Sequence, residues 1–188
     1  MPAGAAPPRA RLVALLKARS VLHGDFQLAS GRRSPHYVDC RRTTMHAEGL
    51  LLVGELGLAA IREAGWPAQA VGGLTLGADP VAYAIARASA AERSPIHAFT
   101  VRKEAKEHGT GRRIEGCFDP GAAAVIVEDV ITTGASALAA AAAVREAGGT
   151  VLGVLAVVDR EEGGPEALER AGLAVRSLVS LHELLEGG

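Results

Sequence analysis

The 188-residue chain is 48% apolar and 22% charged, with a formal net charge of −1. These values suit one domain with a substantial core; they exclude a disordered chain and give no electrostatic reason to expect nucleic acid. Cys40 and Cys117 lack metal-ligand spacing and suggest no disulfide framework, no apolar run reaches membrane-spanning length, and MPAGAAPPRA reads as a frayed tail without a signal-peptide layout, so a cytoplasmic protein is expected.

Residues 9–22, RARLVALLKARSVL, read as an amphipathic helix with Leu12, Leu15 and Leu16 at helical spacing. Gly31 and Pro35 mark turns, and FQLAS and HYVDC read as short strands around them. The residues alone fit either a flap over a pocket or a surface hairpin. Residues 47–64 form a second helical pattern, ended by Gly65-Trp66-Pro67. A buried strand starts at Ala70 and Val71, followed by a glycine-containing turn from Gly72 to Asp79 and a helix with Pro80 in its first turn. That turn is either a phosphate cradle at a helix N-terminus or a plain strand-to-helix connection.

Ile96 to Val101 is the next strand, and it feeds into RKEAKEHGTGRRIEG. The chain holds 17 Arg and only 3 Lys, yet Lys103 and Lys106 both fall here, with Arg102, His108, Arg112 and Arg113. Gly109 and Gly111 predict a mobile segment. A solvated charged hairpin is the ordinary meaning of such a run; flexible cations gathering around an anionic group whose charge must be neutralised are the functional one.

Residues 122–147 carry the strongest signal. Ala122 to Val127 reads as a buried parallel strand, ending in Glu128 and Asp129. Thr132, Thr133, Gly134, Ala135 and Ser136 follow, then an Ala-rich helix to Ala147 that Gly148 and Gly149 stop. A helix N-terminus with hydroxyl donors attracts phosphate, while an acidic pair suits vicinal hydroxyls or a hydrated cation. Phosphate beside a diol describes a ribose 5-phosphate. Neither GK[ST] nor GxGxxG is present, so no P-loop or dinucleotide fingerprint is indicated. Val151 to Val158 is a further strand, ending in DREEG, and Arg160 lies where ligands gather in open parallel sheets. Pro165 to Ala171 reads as a helix, Leu173 to Val179 as a strand and Leu181 to Leu185 as a closing helix. The alternation predicts an α/β fold with a mainly parallel central sheet flanked by helices. His23, His36, His46, His97 and His182 read as structural or exposed, Trp66 as packing, and neither cysteine as a nucleophile.

VIVEDVITTGAS resembles the phosphoribosyl-pyrophosphate (PRPP) motif of the type I phosphoribosyltransferases. The pattern F-x-L-x-S-G-x-x-S-P-x-Y-x-D, the loop R-K-x-x-K-x-H-G and the D-R-x-E-G context are similar to one branch, the orotate phosphoribosyltransferases, over nearly the whole chain. The resemblance implies a single domain over 1–188 with an N-terminal hood, roughly residues 1–45, covering the pyrimidine base. It places Glu128 and Asp129 on the ribose hydroxyls, near the charge that builds at the anomeric carbon. Val130, Ile131, Thr132, Thr133, Gly134, Ala135 and Ser136 would hold the 5-phosphate. Thr75, Leu76 and Gly77 would bind pyrophosphate through the backbone, in a loop that often has a non-trans peptide. Arg102, Lys103, Lys106 and His108 would face the pyrophosphate, with Lys103, Glu128 and Asp129 as the catalytic set. Arg160 would clamp the orotate carboxylate, with Thr132 beside the base. In that family the cationic loop crosses a dimer interface, which implies a homodimer with shared active sites. Mg²⁺ would be held mostly by PRPP and water, with no metal-ligating residues assigned. Ala29 departs from the pattern, standing where many relatives have a ligand-contacting lysine; that role is either absent or passes to Arg32 or Arg33, and it is not carried over. The implied reaction joins PRPP and orotate to give orotidine 5'-phosphate and pyrophosphate, in pyrimidine nucleotide synthesis. A purine phosphoribosyltransferase and a PRPP-sensing, nucleic-acid-binding regulator are the rivals; Arg160 and the hood disfavour the first, the near-neutral charge the second.

Overall fold

The computed structural model describes residues 6–27, 33–104 and 113–186. In chain order the elements are α1 (Pro8–Arg19), β1 (Val21–Gln27), β2 (Arg33–Val38), α2 (Arg41–Thr44), α3 (Ala47–Glu63), β3 (Ala70–Leu74), α4 (Ala78–Ser89) and β4 (His97–Val101). They continue with β5 (Ile114–Gly116), β6 (Ala123–Ile131), α5 (Ala135–Glu146), β7 (Thr150–Asp159), α6 (Gly164–Arg170), β8 (Val175–Ser180) and α7 (Leu181–Leu185). A six-stranded sheet runs in the order β5-β4-β3-β6-β7-β8. Its pairs are parallel except β4 with β5.

Strand residues alternate between two faces. Val125 and Val127 of β6 enter one apolar cluster, with Leu12, Leu16, Val53 and Ile85 from α1, α3 and α4. Ala124 and Ile126 enter the other, with Ala137, Ala140, Ala141 and Val144 of α5 and Leu168 of α6. Helices therefore cover both faces, as the α/β reading requires. The crossover after β3 leads through α4 to β4, and the one after β6 leads through α5 to β7, in opposite directions along the sheet. Between β3 and β6 lies the topological switch point, where such sheets open a crevice at their C-terminal edge.

Several boundaries differ from the sequence reading. The first helix stops at Arg19, because Val21 and Leu22 pair with Val38 and Tyr37 in a separate two-stranded antiparallel sheet. Pro35 lies inside β2 rather than at a turn. It faces a register irregularity between His23 and Phe26, where a residue without an N–H costs no ladder bond. Gly72 and Gly73 belong to β3, not to the turn after it. At Gly73 a methyl would sit 2.2 Å from the Val127 carbonyl oxygen, so the neighbouring main chain fills the space a side chain would take. The acids do not follow β6 but lie in it: Glu128 faces Ala156 and Ile131 faces Asp159 of β7. The short strand β5 and the one-turn helix α2 were not expected. The last strand begins at Val175, after Gly172 turns at φ 76 and Leu173 drops into the core. Trp66 packs on the core beside Gly153 of β7, and both cysteines are free.

Candidate active site

A cavity of about 990 Å³ opens at the C-terminal ends of β3 and β6. Of the residues singled out in sequence, it is lined by Thr75, Leu76, Gly77, Lys103, Glu128, Asp129, Val130, Thr132, Thr133, Ser136 and Arg160. A smaller concavity of about 30 Å³ lies at the start of α5, lined from Val130 through Ser136 and by Glu128 and Ala137. Ile131 reaches it, but its side chain is buried in the core. Gly134 turns there at φ 79, a left-handed conformation that favours glycine, and no side chain caps α5. The first N–H groups of the helix thus lack a capping partner and sit among three hydroxyls.

Glu128 and Asp129 dominate the electrostatics. Glu128 is 7% exposed, and its Oε1 is buried without a hydrogen-bond partner. Burial, and secondly the Asp129 charge, push its pKa up to about 8. Burial also raises Asp129, against main-chain hydrogen bonds and the Arg41 charge that oppose it. The Val130 N–H donates to Asp129 Oδ1 at 2.9 Å.

The loop after β3 is pinned from within. Asp79 accepts hydrogen bonds from the Thr75 hydroxyl at 2.7 Å and the Thr100 hydroxyl at 2.8 Å. The Thr75 N–H donates to the Val101 carbonyl at 2.9 Å. The Thr75–Leu76 peptide is cis, and the Leu76 side chain is 64% exposed. Gly77 lies against the Asp129 carboxylate, so the loop and the acidic pair touch.

Arg160 follows β7, with its N–H donating to the Ile131 carbonyl at 3.0 Å. Its side chain is 6% exposed, and Nη2 lies 3.0 Å from Glu162 Oε1. Its Nε is buried without a hydrogen-bond partner.

The structure does not bring every candidate together. Lys103 is exposed and lines the cavity, but Arg102 is not among the lining residues; it lies 3.8 Å from Glu115 of β5. Lys106, His108, Arg112 and Ala29 lie outside the described residues. Conversely, Gln27, Tyr37, Asp39, Cys40, Arg41 and Glu162 line the cavity without having been singled out. Tyr37, Asp39 and Glu162 occur in the quoted motifs, so the signal was present; Gln27, Cys40 and Arg41 carried none. Arg41 Nε donates to Asp39 Oδ1 at 2.9 Å. Burial pushes the Cys40 thiol up, as do the Asp129 and Asp39 charges, so it stays protonated and is a poor nucleophile. Among the described residues no three or more His, Cys, Asp or Glu side chains gather to hold a metal ion.

No protein-family model matches the chain. It is 49% identical over 180 residues to the orotate phosphoribosyltransferase of Aquifex aeolicus, covering 94% of this chain and 97% of that one. It is 50% identical over 182 residues to the Mycobacterium tuberculosis H37Rv orotate phosphoribosyltransferase, covering 96% and 98%. The crystal structure of the H37Rv enzyme in complex with PRPP superimposes with a TM-score of 0.80 at 44% identity, over 95% of this chain and 99% of that one. Identity of this degree over nearly the full length of each relative, on a chain whose acid pair, helix N-terminus and buried arginine meet in one crevice, establishes that it belongs to the orotate phosphoribosyltransferase family.

Proposed function

We propose that the chain transfers the 5-phosphoribosyl group from PRPP to N1 of orotate, releasing pyrophosphate and forming orotidine 5'-phosphate for pyrimidine nucleotide synthesis. One observation carries this reading: an acidic pair with Glu128 buried and Asp129 half-buried, an uncapped helix N-terminus and a buried arginine line a single crevice. The uncapped N–H groups of α5 with Thr132, Thr133 and Ser136 take the 5-phosphate. The diol then lies at Glu128 and Asp129. In the free protein burial pushes the Glu128 pKa up to about 8, so its carboxyl can meet the diol as hydrogen-bond donor or acceptor. Asp129 supplies an acceptor near the anomeric carbon as positive charge builds there. Thr75, Leu76 and Gly77 receive the departing pyrophosphate, and Lys103 neutralises it. Arg160 takes the orotate carboxylate, for which a guanidinium fork is suited, and Thr132 flanks the base. No side chain acts as a nucleophile.

Mg²⁺, when bound with PRPP, would supply positive charge to offset the pyrophosphate. The orphaned Glu128 Oε1 and neighbouring Asp129 suit a cation held chiefly by substrate and water, with the acids touching its hydration shell or the diol. We read the chain as one catalytic domain with a hood, roughly residues 1–45, and the functional unit as a homodimer in which the cationic loop of one copy serves the other's site. A cytoplasmic location accords with this; among the described residues no helix is long and apolar enough to cross a membrane.

The test is spectrophotometric. Protein, PRPP, Mg²⁺ and orotate are mixed and loss of orotate absorbance is followed, with uracil, hypoxanthine and xanthine in parallel. Orotate turnover is expected, and turnover of a purine in its place would overturn the base assignment.

A further inference from the structure

The base end of the crevice holds an unexpected charge. A carboxylate, Glu162, lines the same cavity as Arg160, where a substrate carboxylate is to bind. It is no mobile surface acid: its side chain is 13% exposed and its Oε1 lies 3.0 Å from Arg160 Nη2. The turn that carries it is braced at three points. Glu161 has φ 57, and its N–H donates to Asp159 Oδ1 at 2.8 Å. The Glu161 carboxylate accepts the His182 N–H at 2.8 Å, tying the turn to α7. At Gly164 a methyl would lie 2.3 Å from Ile131 Cγ2, so the turn sits hard against the end of β6.

Stability does not explain such a pair, because desolvating both ions offsets most of their attraction. Geometry does. A guanidinium presents its donors in one rigid plane, so anchoring one nitrogen sets the direction of the others. With Nη2 held by Glu162, the buried Nε is left without a protein partner. We infer that Glu162 is the positioning residue of the base subsite: it fixes the plane of the Arg160 guanidinium so that the remaining donors meet the carboxylate of the incoming base. It also keeps the arginine paired when that subsite is empty. The inference rests on the orotate reading above.

The test uses the full-length enzyme with Mg²⁺, varying orotate and PRPP in turn. Glu162→Ala raises the orotate KM about tenfold, as loss of alignment of one charge-assisted hydrogen bond does, and leaves the PRPP KM within about twofold. Glu162→Gln, whose amide oxygen can face the same guanidinium nitrogen, stays within about threefold of wild type. In an Arg160→Ala background, Glu162→Ala changes kcat/KM for orotate by less than about twofold, since its effect runs through the arginine. An unchanged orotate KM, an equal rise in the PRPP KM, or an undiminished effect in the Arg160→Ala background would overturn the assignment. Should Glu162→Ala melt below the assay temperature, Glu162→Asp serves: it keeps the charge but withdraws the carboxylate by a methylene. An orotate KM raised with the PRPP KM unmoved supports positioning, and an unchanged orotate KM defeats it. Failure of the wild-type protein to consume orotate would instead sink the underlying reading.

Discussion

Gly77→Ala separates the stability of the site from its chemistry. Gly77 has φ −60 and ψ −43, which any residue adopts, so the backbone does not object to alanine. Space does: the new methyl would lie 2.4 Å from Asp129 Oδ1, 2.7 Å from Cγ and 3.0 Å from Oδ2. These atoms end a side chain, so the cheapest relief is rotation of the carboxylate away from the loop. That rotation breaks its 2.9 Å bond from the Val130 N–H, which costs about 0.5–1.5 kcal/mol. The smaller unfolded-state entropy of alanine returns about 0.4–1 kcal/mol. The net loss is about 1 kcal/mol or less, a fall in Tm of at most about 2–4 °C for a chain of this size. Catalysis loses more. Removing a charged acceptor from the ribose hydroxyls costs about 1.5–3 kcal/mol, or about 10- to 150-fold in kcat/KM for PRPP. Orotate consumption at limiting PRPP, alongside a thermal melt, measures both. Wild-type kcat/KM would show that Asp129 does not hold the sugar. A melt lowered by more than about 10 °C would show that the loop yielded instead of the carboxylate.

Three further outcomes are expected. Gly73→Ala places its methyl 2.2 Å from a main-chain oxygen of the neighbouring strand. Nothing there can rotate aside, so urea denaturation should register a loss above about 3 kcal/mol, and a loss below about 1 kcal/mol would show that β3 and β6 can shift apart. Lys103→Ala, at an exposed position, should leave the melt within about 0.5 kcal/mol of wild type and lower turnover about 100-fold or more; unchanged turnover would remove Lys103 from the mechanism. Glu128 has a folded pKa of about 8, above its ordinary 4.5. Between those values the folded chain holds a proton that the unfolded chain has lost, so this group makes stability fall as pH rises through the window and level off above it. Glu128→Gln should flatten that dependence relative to wild type in denaturation at a series of pH values, and an identical slope would refute the raised pKa.

The helices were legible because their signals are local. Apolar spacing and the stop at Gly65 bring α3 within a residue of its reading, and α7 was read with its observed ends. Strand ends were less so, because pairing decides them. Glu128 and Asp129 are poor strand formers, yet the β7 ladder carries β6 through them. Gly72 and Gly73 look like a turn in one dimension and prove to be the point where neighbouring main chains approach too closely for a side chain. The site divides similarly. Its acid-to-hydroxyl half is contiguous from Glu128 to Ser136 and was visible as a run. Cys40 and Arg41 join the crevice only through folding of the N-terminal segment, and a buried cysteine reads in sequence as core.

The Arg102 N–H donates to the Arg113 carbonyl at 2.8 Å, next to the β4–β5 pairing of Val101 with Ile114. The cationic segment therefore leaves and re-enters the protein at one closed hairpin neck. The entropy of bringing its ends together is met by the sheet edge, independently of what the intervening residues contact. For a loop so closed, each doubling of length adds only about 0.6 kcal/mol. A change in the number of residues between 103 and 112 would therefore alter the closure cost by only a fraction of a kcal/mol, because Arg102 and Arg113 are already held together at the sheet edge.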